Sequence, residues 1–267
     1  MNNSLLIDSH CHLNYDYLPK SLEEVLGEAR LAGVEALVTI GTDLASIGEI
    51  QAISEKYPHI YHTVGVHPHD AIVLNPHDMP ALEQAGRHPK CRAIGEIGLD
   101  YHYDHSPREI QKAALKLQLD LAHRLGLPVV IHSREGEEDL LEALAEYSRK
   151  LPSDAIPGII HCFSGTVAFG QACLDLGFYI SFSGIITFKK ADEVRTAAQL
   201  FPLDKILVET DAPFLAPIPH RGKKCEPSMV KLTALKLAEL KGISFEEVAR
   251  VTTANSKRVF RMTTGGV

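Results

Sequence analysis

Leu5-Leu6-Ile7-Asp8-Ser9-His10-Cys11-His12 is the stretch on which the fold turns. Its apolar run reads as a strand over residues 5–8, and it leads straight into two histidines rather than into a glycine-rich turn. A doubly wound dinucleotide-binding sheet carries a glycine-rich phosphate loop after its first strand, so this opening favours the other parallel architecture, the closed barrel. Side chains alternate along a strand, which lets His10 and His12 face one mouth while Cys11 points away.

Outward from this stretch, β-branched runs recur over residues 36–40, 60–66, 93–97, 128–132, 158–161, 178–182 and 206–209. Between them lie segments with apolar residues at helical spacing, such as Leu22, Val25, Leu26 and Ala29, and, more strongly, Leu115, Leu117, Leu119, Leu121, Ala122 and Leu125. Strand and helix therefore alternate. The strands are apolar on both faces, as buried parallel strands are. Eight right-handed βαβ units predict an α/β (β/α)8 TIM barrel. Its 267 residues suit one barrel domain over 1–267, with 263–267 expected to fray. After the eighth strand, residues 228–240 and 244–260 read as two helices split by Gly242, the second opening on a Ser244/Glu247 capping box.

The net charge of −7 excludes a global basic field, so nucleic acid could be held only by a local cluster of cations. The N-terminus lacks a basic segment and the first apolar run stops at Asp8, which argues against a signal peptide. No run approaches the roughly 18 apolar residues of a membrane span. Five cysteines without a Cys-x-x-Cys pair suggest neither a disulfide framework nor a thiolate zinc site, and a cytoplasmic protein is expected. No obligate protein partner is evident. The 14 histidines are the informative excess, because imidazole is the common metal ligand.

Polar ligands stand where a barrel gathers its active site, at the C-terminal ends of the strands. After His10 and His12, the third strand ends in His67-Pro68-His69, the fourth carries Glu96, the fifth ends in His132, the sixth in His161 and the eighth in Glu209-Thr210-Asp211. Only the second and seventh lack an obvious ligand. Neutral imidazoles with a carboxylate suit Zn, Mn or similar ions, and one shared carboxylate can bridge two of them. A centre of two divalent ions (Mg, Mn or Zn) is the economical reading.

Asp8-Ser9-His10-Cys11-His12, Gly65-Val66-His67-Pro68-His69, Gly95-Glu96-Ile97-Gly98-Leu99-Asp100, Ile131-His132-Ser133-Arg134, His161-Cys162-Phe163-Ser164-Gly165 and Glu209-Thr210-Asp211-Ala212-Pro213 together resemble the motif series of the TatD family of metal-dependent hydrolases. The resemblance runs in order over nearly the whole chain. It implies an amidohydrolase-like barrel with metal-dependent deoxyribonuclease activity, often exonucleolytic. It further implies His10, His12, Glu96 and Asp211 around one ion, and Glu96, His132 and His161 around the second. The segment Arg221-Gly222-Lys223-Lys224-Cys225-Glu226-Pro227 resembles the family's basic loop, except that the family pattern has Asn where Cys225 stands.

A hydroxide generated on the metal would attack phosphorus, with Asp211 taking the water's proton and His67 orienting or protonating on the far side. Glu96, Asp211 and His67 are thus the expected catalytic residues. Arg134, Arg221, Lys223 and the pair Lys189-Lys190 follow strand ends, where they could neutralise the phosphates of single-stranded DNA or a DNA end; the bland alternative is solvated surface charge. The stretch Tyr101-His102-Tyr103-Asp104-His105 offers flat faces to a base. Two rivals keep the metals: an ester or amide hydrolase, such as an aminoacyl-tRNA deacylase, and a metal-binding scaffold without catalysis.

Overall fold

A computed structural model describes residues 5–17 and 19–262; the tail expected to fray lies outside them. Eight parallel strands run in sequential order, β1 (Leu6–Cys11), β2 (Val34–Thr39), β3 (Ile60–Val64), β4 (Cys91–Asp100), β5 (Val129–Arg134), β6 (Gly158–Ile160), β7 (Tyr179–Phe182) and β8 (Ile206–Val208). Helices follow them: α1 (Leu22–Leu31), α2 (Ile47–Lys56), α3 (Met79–Gly86), α4 (Arg108–Leu125), α5 (Glu137–Lys150), α6 (Val167–Asp175), α7 (Asp192–Leu200), α8 (Val230–Lys241) and α9 (Phe245–Val259). This is the expected (β/α)8 arrangement, a nearly closed TIM-like barrel. No helix among the described residues is long and apolar enough to cross a membrane.

Two apolar layers hold it together. Outside the strands, Leu6, Leu37, Val64, Ile94, Ile131, Ile160 and Ile180 pack against the inner stripes of the helices, for example Leu115 and Leu119 of α4. Inside the barrel, Ile7, Val38, Ala93, Val130, Ile159 and Leu207 meet Phe260 and Met262, which follow α9. The floor is therefore packed solid, and only the opposite mouth is left for chemistry.

Ordinary sheet pairing stops between β8 and β1, and the segment after β8 closes the seam. His12 N–H donates to Ala212 O (2.8 Å) and Asp211 N–H to His10 O (2.9 Å). Ser9 Oγ donates to Val208 O at 3.1 Å. The fully buried Asp8 takes Thr210 N–H at 2.9 Å and lies 2.6 Å from Thr210 Oγ1. Burial pushes the Asp8 carboxyl up to about 8 against these hydrogen bonds. The same contacts that close the barrel fix His10 and His12 beside Asp211.

The helix pair after β8 begins two residues later than expected at α8. At α9, Ser244 Oγ accepts Glu247 N–H at 3.1 Å, but the Glu247 carboxylate turns to Arg250, so half of the expected capping box forms. A complete box stands instead at the start of α1, between Ser21 and Glu24.

Candidate metal centre

Glu96 lies at the middle of the mouth. Its β4 can approach β5 closely because of the glycines on either side: a Cβ on Gly95 would meet Val130 Cβ at 2.5 Å, and one on Gly98 (φ +151°) would meet His132 O at 2.0 Å. Only glycine fits such contacts. With the strands this near, His132 Nδ1 is 3.0 Å and His161 Nε2 2.7 Å from Glu96 Oε1, while His10 Nε2 is 3.3 Å from Oε2. His67 Nε2 lies 3.4 Å from Oε1. Asp211, at φ +59° in the left-handed region that Asp tolerates better than most residues, turns Oδ1 to 3.4 Å from His12 Nε2 and 3.6 Å from His10 Nε2.

All six expected ligands thus meet, from β1 and the residue after it, β4, β5 and the segments after β6 and β8. Their atoms fall into groups able to hold an ion, with Glu96 common to His10/His12/Glu96 and to His67/Glu96/His132. A third group joins His10, His161 and Glu209. The ring nitrogens of His10 and His161 are buried without a properly directed hydrogen bond, although carboxylate oxygens lie close by. Buried polar groups are rarely left so. Imidazole lone pairs and carboxylates converging on the same space fit divalent cations of the Zn or Mn type.

Two buried acids orient these ligands from behind. Asp100 Oδ2 is 3.0 Å from His132 Nε2 and 2.9 Å from His69 Nε2, and its Oδ1 accepts the N–H groups of His102 and Tyr103. Gln111 in turn clasps the Asp100 backbone, donating to its C=O and accepting its N–H. Glu209 Oε1 is 3.4 Å from His161 Nδ1 and accepts Cys162 N–H at 2.7 Å. With its Nε2 proton given to Asp100, His132 presents a lone pair at Nδ1; with Nδ1 facing Glu209, His161 presents Nε2. Sequence reading assigned neither acid a role. A signal was available: Asp100 stands four residues after Glu96 in one strand and Glu209 two before Asp211, spacings that keep each pair on one face.

The electrostatics follow from crowding acids and imidazoles in a dry place. Burial alone raises the Glu96 carboxyl, but His161, His67, His10 and His132 outweigh it and hold it well below the carboxylate range. Asp211 is likewise lowered, burial being overcome by His12 and His10. Burial lowers the His161 imidazole, yet Glu96 and Glu209 lift it well above its ordinary value. Burial drives His67 down to about 4.

The cavity above these residues measures about 430 Å³ and is lined by His12, His67, Glu96, His132, His161 and Asp211 among others. Arg134 lines it, with its guanidinium 5.3 Å from the Tyr103 ring centroid. The other expected phosphate contacts stand elsewhere. Arg221 lies over the Phe188 ring at 3.7 Å, and Lys223 lines a separate groove with Lys20, Glu28 and Glu226. Lys189 and Lys190 are exposed in the turn before α7 and, like Arg221 and Lys223, do not line the cavity. Cys225 is fully buried, its N–H given to Pro213 O at 2.9 Å, and it does not face the cavity either.

The family model of TatD-related DNases matches residues 7–261. The chain belongs to this TatD family. It is 42% identical over 258 residues to the uncharacterized metal-dependent hydrolase YabD of Bacillus subtilis (strain 168), covering 97% of this chain and 100% of that one. It is 32% identical over 263 residues to a protein of Citrobacter rodentium (strain ICC168) named 3'-5' ssDNA/RNA exonuclease TatD, covering 97% and 98%. Among solved structures, the TatD homologue YjjV of Escherichia coli K12 superposes with a TM-score of 0.90 at 30% identity, covering 97% and 98%. This TatD chain is a metal-dependent hydrolase with a histidine and carboxylate cluster suited to metal ions.

Proposed function

We propose that the chain hydrolyses phosphodiester bonds of DNA, working from a single-stranded or frayed end as an exonuclease. The observation that carries this reading is Glu96, with His10 Nε2 3.3 Å from its Oε2 and His132 Nδ1 and His161 Nε2 3.0 and 2.7 Å from its Oε1, at the floor of an open cavity that Asp211 and Arg134 also line. The Citrobacter relative named an ssDNA/RNA exonuclease supports the choice of substrate. The cysteines, none of them in a disulfide, suit a cytoplasmic setting.

In this reading His10, His12, Glu96 and Asp211 would hold one divalent ion, and Glu96, His132 and His161 would hold the other. So held, a divalent pair lowers the pKa of water toward neutrality and draws charge from phosphoryl oxygens. Asp211 is ionised, because neighbouring imidazoles hold its carboxyl low, and it accepts the proton of the attacking water. His67 acts as a donor. Its Nδ1 accepts His69 N–H at 3.1 Å, which leaves its proton on Nε2, facing Glu96 and the cavity. Lowered to about 4, it is neutral at pH 7 and orients an oxygen by hydrogen bonding instead of protonating it. Arg134 neutralises a neighbouring phosphate.

The test is to incubate the protein with single-stranded DNA, a chromogenic phosphodiester and small carboxylic esters, each with Mg, Mn, Zn or chelator. Metal-dependent release of nucleotides supports the proposal. Turnover of carboxylic esters alone would replace it with the carbonyl-hydrolase reading.

A further inference from the structure

The chain has 8 tyrosines, 9 phenylalanines and no tryptophan. Nearly all of them are buried or half-buried, and three are well exposed: Tyr15 (40%), Tyr103 (52%) and Phe214 (48%). All three line the cavity above the metal ligands. Single exposed aromatics scattered over a surface need no explanation, but their confinement to one concave site does.

They form two walls. Tyr15 follows β1 and Phe214 follows β8, so they share the seam, ring against ring at 5.6 Å and 76°. The His12 imidazole packs edge-on beneath both, at 5.2 Å from Tyr15 and 6.0 Å from Phe214. Tyr103 follows β4, half-way round a ring of eight strands from β8, and packs against His69 at 5.4 Å and His105 at 5.6 Å, with the Arg134 guanidinium 5.3 Å from its ring centroid. The cavity between the walls is floored by Glu96, His132, His161 and Asp211. An aromatic ring on each side of a charged floor matches a nucleic-acid strand at a phosphate, where flat bases flank an anion.

Resting on the phosphodiesterase reading, we propose that Phe214 with Tyr15 stacks on the base on one side of the scissile phosphate and Tyr103 on the base on the other. The substrate strand must then be unpaired over those nucleotides, because a base held in a duplex cannot turn its face to a wall. Stacking is tolerant of base identity, since every base has a π-face, so the site selects for single strands and not for sequence.

The experiment measures KM and kcat, with Mn(II) present, for a single-stranded oligonucleotide and for its counterpart with abasic sites flanking the cleaved bond. For the parent protein, loss of both bases raises KM about ten-fold or more, with kcat changed far less. In Phe214→Leu/Tyr103→Leu that penalty shrinks several-fold, because only Tyr15 of the three rings remains, whereas Phe214→Trp and Tyr103→Phe retain it in full. Equal KM for the two oligonucleotides in the parent overturns the inference, and so does an undiminished penalty in the double leucine variant. In both cases the phosphodiesterase reading survives. If the parent cleaves neither oligonucleotide with any metal, both readings fall together.

Discussion

Replacing Asp100 by Asn keeps the shape of the side chain and inverts its hydrogen bonding toward His132. In the native site, Oδ2 accepts from His132 Nε2 at 3.0 Å and from His69 Nε2 at 2.9 Å, while Oδ1 takes two backbone N–H groups. An amide at position 100 retains the Oδ1 contacts but points N–H groups at both imidazoles. His132 can then meet it only by moving its proton to Nδ1, the nitrogen 3.0 Å from Glu96, and a protonated Nδ1 cannot ligate. Partners of this kind are worth about 10- to 100-fold in metal affinity, or about 1.4–2.7 kcal/mol. Asp100→Ala removes the tautomer conflict but orphans the His102 and Tyr103 N–H groups, at about 1–3 kcal/mol for each that stays dry. The two variants therefore rank oppositely: Asn loses more Mn(II) affinity by calorimetry, and Ala loses more in melting temperature. Unchanged affinity for both ions in Asp100→Asn, or a greater affinity loss in Asp100→Ala, would show that Asp100 does not set the His132 tautomer.

Further expectations follow from the same geometry. Asp211→Asn should lower kcat by about 10²–10⁴, the usual worth of a general base, with KM far less affected; a loss confined to KM would remove the base role. In the metal-free protein Glu96 and Glu209 raise the His161 imidazole well above its ordinary value against burial, which favours a proton on the ring. Metal must displace that proton, so affinity climbs as pH rises through the raised pKa, and titrations in buffers of different ionisation enthalpy should reveal proton release; identical apparent enthalpies would contradict this. Burial pushes the Asp8 carboxyl up to about 8, far above the ordinary carboxylate range, so ionising it is harder in the folded chain. Stability therefore declines as pH rises from about 4 through 8, and Asp8→Asn, which cannot ionise, should melt higher than the parent at pH 9; a lower melting temperature there would count against a neutral Asp8.

Much of the centre was legible because strand periodicity carries it. His10, His12, Glu96, His132, His161 and Asp211 each follow or end an apolar run, and a parallel barrel brings such ends to one mouth whatever their separation in sequence. What strand order leaves open is which imidazole nitrogen meets which oxygen, and so Asp100 and Glu209, though quoted within the motifs, had no role until distances were known. Loops are harder still. Arg221 and Lys223 stand close after β8 in sequence, yet the chain between turns them toward Phe188 and the Lys20 groove, since exposed backbone has no periodicity to fix its direction. Tyr15 and Phe214 are silent in sequence for another reason: most of the chain's aromatics are buried, and nothing in the residue types marks the exceptions.

If Glu96 joins two divalent ions, as proposed, counting bound metal reveals it. Protein stripped with chelator, reloaded with Mn(II) and freed of excess should contain two ions per chain by elemental analysis, and Glu96→Ala should hold at most one, weakly, with its melting transition retained. Two ions bound as firmly in Glu96→Ala as in the parent, or no ion retained by the parent, would contradict the account.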